Sequence, residues 1–160
     1  MEKNWYQKLT RKVIKFGALL SSIPNFIIYN SSNSARQHER LGYRKSKSIF
    51  IPNGFELDVF SPKHSDRESL VRELSLEHST YLVTHVARFH PKKDHKNFLV
   101  AASMVLKVRK DVRFLLAGKE VSNSNVSIFE TVEKLNLQHY VRLLGERTDI
   151  PRILASSDLF

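Results

Sequence analysis

From Tyr81 onward the chain alternates short, nearly unbroken apolar runs with longer stretches in which apolar residues return every third or fourth position. The runs are Tyr81–Ala87, Val112–Ala117 and Val141–Leu144, and Gly118 and Gly145 close the second and third. Between them lie two helix-period stretches, Asp94–Arg109 and about Asn125 to Leu135. The first turns Phe98, Ala101, Ala102, Val105 and Leu106 inward; the second turns in Ile128 or Phe129, Val132 and Leu135. A short helix over Asp149–Ala155 and a strand beginning at Asp158-Leu159-Phe160 continue the rhythm. Strand, helix and strand at about 30-residue spacing predict right-handed βαβ units. Runs without polar alternation predict strands covered on both faces. The expected fold is therefore α/β: a Rossmann-like, doubly wound parallel sheet whose ligands bind beyond the carboxyl ends of its strands.

Upstream the pattern is less regular. Trp5, Leu9, Val13, Phe16 and Leu20 recur at spacings of three and four, with Lys8, Arg11, Lys12 and Lys15 between them. That predicts an amphipathic helix over 4–20 with a basic outer face, packed on a core or lying on a membrane surface. Asn25–Tyr29 reads as a buried strand, Ala35–Leu41 as a helix stopped by Gly42, and Ser48–Ile51 as a strand cut off by Pro52-Asn53-Gly54. Asp58–Ser69 is a polar connection containing Pro62, and a short helix follows at about Glu68–Leu74.

Composition narrows the partners. The 160 residues are 41% hydrophobic, enough for one domain or for one domain and part of another. With no cysteine, disulfides, zinc–thiolate sites and thiol nucleophiles are excluded. No apolar run approaches the ~18 residues of a membrane span. Lys15, Pro24 and Asn25 interrupt the weak N-terminal apolar stretch, so no signal peptide is expected. A formal charge of +10 favours anionic partners, whether nucleic acid, anionic lipid or phosphorylated small molecules. The aromatics do not cluster among the cations as a base-stacking surface requires, and no nucleic acid is expected.

The chemistry concentrates at Arg88, Lys92 and Lys93, between the Tyr81–Ala87 strand and a helix capped by Asp94. A strand end, fixed cations and the unpaired N–H groups of a helix start describe an anion site. Arg88 and Lys93 stand five apart, a spacing that lets both fold back over the helix start; the other reading is two solvated surface cations. Gly118 and Gly145 are ordinary turn glycines or places where a ligand approaches the backbone. Neither G-x-G-x-x-G nor G-x-x-x-x-G-K-[ST] occurs, so a nicotinamide site and a Walker NTPase lack their signatures. His85, His90 and His95 lie five apart with no acidic cluster, a spacing unsuited to chelation from one helix face, so no metal site is expected. No Ser–His–Asp order or nucleophile elbow is present.

Taken together, these motifs resemble the retaining glycosyltransferases of GT-B fold, family 4. That family enters its second domain through a PNG turn, matched by Ile51-Pro52-Asn53-Gly54, with Phe60-Ser61-Pro62 downstream. Its "GR…K-G/D" loop is matched by Ala87-Arg88 and Lys93-Asp94, its "L-x-G-x-G" strand end in part by Leu116-Ala117-Gly118, and its "V-x-F-L-G" strand by Val141–Gly145. "A-x-D-x-F" is matched by Ala155-Ser156-Ser157-Asp158-Leu159-Phe160. The matches cover about residues 48–160, and residues 25–42 resemble the last strand and helix of the family's first domain. Two positions depart: Ala87 stands where a glycine usually precedes the arginine, and Glu120 replaces the second glycine of the third-strand signature.

The resemblance implies sugar transfer from a UDP- or GDP-linked co-substrate to a glycan or lipid-linked acceptor, as in polysaccharide biosynthesis. It implies retention, no metal and no further cofactor. Arg88 and Lys93 match the pair that grips the diphosphate and stabilises the leaving nucleotide; Gly118 and Gly145 match the strand-end glycines, and Gly145-Glu146-Arg147 the segment near the donor base. Residues 1–50 are expected to be a remnant of an acceptor domain and 51–160 an incomplete donor-binding domain. The family continues past the position of Phe160 into an E-x7-E segment that contacts sugar and ribose, so this chain alone is expected to show little transfer. Unpaired sheet edges are expected to make it association-prone. The expected location is cytoplasmic, with peripheral contact at the inner face of the membrane through the basic helix. A non-catalytic nucleotide- or phosphate-binding module and, after it, a basic nucleic-acid-binding protein are the alternatives.

Overall fold

The structure, a computed structural model, describes residues 2–61 and 64–160, with side chains described from residue 8 to 61 and from residue 66 onward. Trp5 as a packing residue and Pro62 in the connection lie outside the residues so described. The chain divides into two compact units, residues 1–55 and 56–160.

The first unit comprises α1 (Glu2–Leu20), β1 (Ile27–Tyr29), α2 (Ser32–Arg40) and β2 (Ser48–Phe50). β1 and β2 pair in parallel, Ile27 opposite Ser48 and Tyr29 opposite Phe50. α2 begins earlier than the apolar pattern predicts because the Ser31 hydroxyl accepts from the Ser34 N–H and caps the helix there. α1 forms as predicted, but it packs on a different face. Leu9, Val13, Phe16 and Leu20 are 43%, 62%, 62% and 44% exposed. The half-buried positions are Ile14, Gly17 and Ala18, followed by fully buried Ser21. Tyr43 lies over Gly17 and donates to the Ile14 carbonyl (3.0 Å), and Ser21 Oγ accepts from the Arg44 N–H (3.1 Å). Small residues let the Tyr43 strap approach the helix axis, and the apolar stripe is left uncovered.

The second unit runs α3 (His64–Glu73), β3 (Tyr81–Val86), α4 (His95–Val105), β4 (Val112–Ala117), α5 (Val126–Lys134), β5 (Val141–Gly145) and α6 (Ile150–Ala155). β3, β4 and β5 are parallel and adjacent in that order, and Val83 bridges in parallel to Leu159 on the other side of β3. Period-two alternation sends side chains to two cores. Phe114 and Leu116 pack with Leu99, Ala102 and Leu106 of the α4 segment and with Ile128 and Val132 of α5. Leu82, Leu115 and Ala117 pack with Leu70 and Val71 of α3 and Ile153 of α6. This is the expected α/β arrangement, a parallel sheet covered on both faces.

The inward stripes differ in detail from the pattern. On α4 the buried residues are His95, Leu99 and Ala102, continued by Leu106; Ala101 and Val105 face out. The 4-3-4 spacing of this set follows one helical face more closely than the predicted set does. On α5, Ile128 is buried and Phe129 exposed.

Candidate functional site

The crossovers carry the sheet from β3 through β4 to β5 in one direction, and the chain then returns to the opposite side of β3. The order reverses beside β3, and open α/β sheets bind ligands past the strand ends at such a reversal. A clasp sets the returning segment there. The Asp158 carboxylate accepts from the Leu82 N–H (2.7 Å) and pairs with Arg67 (3.1 Å), while Arg67 also donates to the carbonyls of Ser156 and Thr80. The Thr84 and Ser157 hydroxyls meet at 2.6 Å. Arg67 lies too far from Asp158 along the chain for any local pattern to reveal the pair.

Beyond β3 the Ala87 peptide is fixed from several sides. The Ala87 N–H donates to the Ala117 carbonyl (2.9 Å) and the Phe89 N–H to the Lys119 carbonyl (2.8 Å). Gly118 has φ +151°, and a Cβ there would stand 2.9 Å from the Arg88 nitrogen and closer still to the Ala87 carbonyl. Glycine at 118 thus has a reason internal to the protein: backbone packs on backbone at the base of the Arg88 loop. Glu120, where the resemblance calls for glycine, keeps a left-handed backbone at φ +63°.

Arg88 leaves this fixed peptide with an exposed side chain, and among the described residues it has no carboxylate partner. Lys93 ends a 3₁₀ turn, Pro91–Lys93, in which the His90 Nδ1 accepts from the Lys92 N–H (3.1 Å) and the His90 carbonyl from the Lys93 N–H. Asp94 caps α4 as predicted, its carboxylate accepting from the Asn97 N–H. His85 and His95 lie together beneath the loop, ring centroids 4.7 Å apart. His95 Nε2–H donates to the Ala87 carbonyl (3.2 Å), which fixes its tautomer. Burial lowers the pKa of both imidazoles; His95 and the Lys93 charge lower that of His85 further. Among the described residues no group of three His, Cys, Asp or Glu could hold a metal ion.

The loop after β5 is joined to this one through backbone. The Gly118 N–H donates to the Gly145 carbonyl (2.7 Å), and the Gly145 N–H to the Val121 carbonyl (2.8 Å). Gly145 has φ +69° with open space around its missing Cβ, and Glu146 is exposed. Arg147 is paired with two carboxylates: it forks onto Asp149 (2.8 Å twice) and reaches Glu73 on α3 (2.8 Å). Arg152 binds the same two carboxylates and Ser69. The Arg147 bond, opposed by some desolvation, holds the Asp149 carboxyl well below the usual carboxylate range. The structure thus brings Arg88, Gly118 and Gly145 together and leaves Lys93 exposed on the same loop, its charge acting on His85. It spends the Arg147 guanidinium on holding its own loop. The local spacing Arg147, Asp149, Arg152 was a legible signal of this clamp; Glu73 was not.

Comparison with known proteins gives these loops a context. Residues 66–160 match the family model described as glycosyl transferases group 1. The chain is 33% identical over 117 residues to the Escherichia coli UDP-Gal:alpha-D-GlcNAc-diphosphoundecaprenol alpha-1,3-galactosyltransferase, an alignment covering 71% of this chain and 30% of that protein. Among solved structures, Anabaena Alr3699/HepE in complex with UDP superposes with a TM-score of 0.76 at 26% identity, over 88% of this chain and 38% of that one. The same protein with UDP and glucose gives a TM-score of 0.77 at 24% identity over 91% and 40%. The chain spans between 21% and 32% of the length of the curated relatives it matches.

Proposed function

The chain belongs to the glycosyl transferases group 1, a family of enzymes, and on that premise we propose that residues 56–160 hold the nucleotide diphosphate of a UDP- or GDP-linked sugar donor. The observation that carries the reading is the Arg88 guanidinium, free of carboxylates among the described residues, on an immobilised peptide where the strand order reverses. Lys93 and the start of α4 add positive potential beside it. Arg88 would bind two phosphate oxygens at once and Lys93 would act as a point charge. Both would be in place before the glycosidic bond breaks, so the charge growing on the leaving nucleotide meets fixed cations rather than reorganising water. The Gly145-Glu146-Arg147 backbone, held by the Glu73–Asp149–Arg152 clamp, would face the base. Transfer is proposed to run with retention, as in family 4, without a metal, toward a glycan or lipid-linked acceptor.

Calorimetric titration with UDP and GDP tests the donor site. Saturable binding to one of them, weakened at least tenfold by Arg88→Ala and less by Lys93→Ala, is expected from the loss of a charged, bidentate contact. A folded chain that binds neither, or an Arg88→Ala variant that binds as well as its parent, rules the site out.

Peripheral membrane contact rests on α1. Its Leu9, Val13 and Phe16 are exposed beside Lys8, Arg11, Lys12 and Lys15, the layout of an interfacial helix, and no helix among the described residues is long and apolar enough to cross a membrane. Such contact would place the protein at the cytoplasmic face of a membrane. Flotation with anionic but not zwitterionic vesicles is the expected result; failure to float with either removes this part.

A further inference from the structure

The face of α4 turned to the sheet reads His95, Leu99, Ala102 and, just past the helix, Leu106. Three of these are residues an apolar core selects, and the histidine is not. His95 is 3% exposed, its Nε2–H has one acceptor, and its Nδ1 is buried without a partner. A buried nitrogen left unsatisfied destabilises the fold, so leucine would serve the core better. Histidine supplies what leucine cannot: a bond to the carbonyl of Ala87, in the peptide that leads into Arg88.

We propose that His95 is a positioning residue, whose neutral imidazole holds the Ala87 carbonyl and so sets the direction in which Arg88 reaches toward an anionic ligand. The ligand half of this rests on the reading of Arg88 as a diphosphate grip. Gly118 bounds the Ala87 peptide from the β4 side, and His95 bounds it from the helix. His85 backs His95 edge-on and stacks on Phe98 at 5.0 Å, its own Nδ1 also buried without a partner. The neutral state is built in. A proton on His95 would add an N–H with no acceptor, 4.7 Å from a second imidazole whose field already includes Lys93. Asp94 opposes from the loop, and Lys96 follows on the helix. His90 of the 3₁₀ turn lines the same space, its Nδ1 accepting from the Lys92 N–H, while Phe89, Phe98, Ser127 and Thr131 carry no charge.

The test follows the Arg88 and Phe89 amide signals of the isotope-labelled 160-residue chain from pH 7.5 to pH 5, first without nucleotide. The affinities of UDP-glucose and GDP-glucose are then measured over the same range, because a diphosphate diester does not titrate there. In the parent, both amides shift as the pH falls below the ordinary imidazole value of about 6.5. His95→Gln, which can still donate to the Ala87 carbonyl, keeps the pH 7.5 signals and loses the larger part of the titration, only the His85 share remaining. His95→Leu displaces the signals and weakens the sugar nucleotide roughly fivefold, the equivalent of one neutral hydrogen bond. A parent-like titration in His95→Gln, or unmoved Arg88 signals in a folded His95→Leu, overturns the proposal. Amides that follow His95 in a chain that binds neither sugar nucleotide would sustain the positioning of the Ala87 peptide and overturn the diphosphate reading instead.

Discussion

Two loops at the carboxyl ends of the sheet use the same residue types in opposite ways. The 87–94 loop carries Arg88, Lys92 and Lys93, all exposed, and its shape is held by backbone hydrogen bonds, the close approach of Gly118 and two imidazoles, His90 and His95. The 145–149 loop is held by charge, with Arg147 and Arg152 shared between Glu73 and Asp149. A guanidinium paired with two carboxylates has its charge largely offset and its best-placed N–H groups taken, so it offers a phosphate little net attraction. A loop shaped by neutral contacts keeps its cations available. The difference between the loops, more than the overall charge of +10, is the reason Arg88 is the cation we propose to face the ligand.

Replacing Gly118 with alanine should do the most damage. It forces a side chain into backbone at φ +151°, at a cost of about 3–5 kcal/mol. Urea denaturation would show this, whereas Gly145→Ala, at φ +69° in open space, should cost only about 1–2 kcal/mol. Equal losses would erase the contrast between a clamped glycine and a turn glycine. Next comes Asp149→Ala, which leaves two guanidinium groups short of a partner and should cost about 2 kcal/mol. It should weaken in high salt, as an ionic clamp must and the neutral loop should not.

Acid should separate the loops further. The folded pKa values of His85 and His95 are lowered, so the unfolded chain protonates first. The stability the neutral pair contributes is complete above about pH 6.5 and declines as the pH falls below it toward the folded values. Glu73 and Asp149 are lowered as well, chiefly by their bonds to Arg147. Their contribution is complete above about pH 5 and is lost as the pH falls through the ordinary carboxylate range toward the folded values. Two descending segments in a plot of urea midpoint against pH are expected, the upper one reduced in His95→Gln to what buried His85 still contributes. A single acid transition in both proteins would show that the histidines carry none of it. Smallest of all, Arg88→Ala should leave stability within about 0.5 kcal/mol of the parent, since the side chain is exposed and holds no carboxylate. A clear loss would mean that Arg88 is structural.

Much of the fold was legible because its signals are local. β4 occupies the predicted span Val112–Ala117, β3 and β5 fall within a residue of their apolar runs, and Asp94 caps α4. α1 shows the limit. Its period predicted a helix, but the docking face was decided by Tyr43 and Arg44 through Ile14, Gly17 and Ser21. A hydrophobic stripe says that a helix has an apolar side, not that something covers it.

The candidate site divides along the same line. Arg88, Lys93, Gly118 and Gly145 could be named from sequence because strand ends, loop cations and turn glycines are read from neighbours within a few positions. Sequence alone determined the order of elements and the residue types available at the strand ends. Only the tertiary structure decided which arginine is free and which is clamped, why Gly118 admits no side chain, and that a histidine in an apolar stripe reaches the Ala87 carbonyl. Those outcomes depend on burial and on partners brought from other elements, such as Glu73 to Arg147 and Arg67 to Asp158. A group's protonation and availability are set by what folding places against it, and that is not written in its neighbours along the chain.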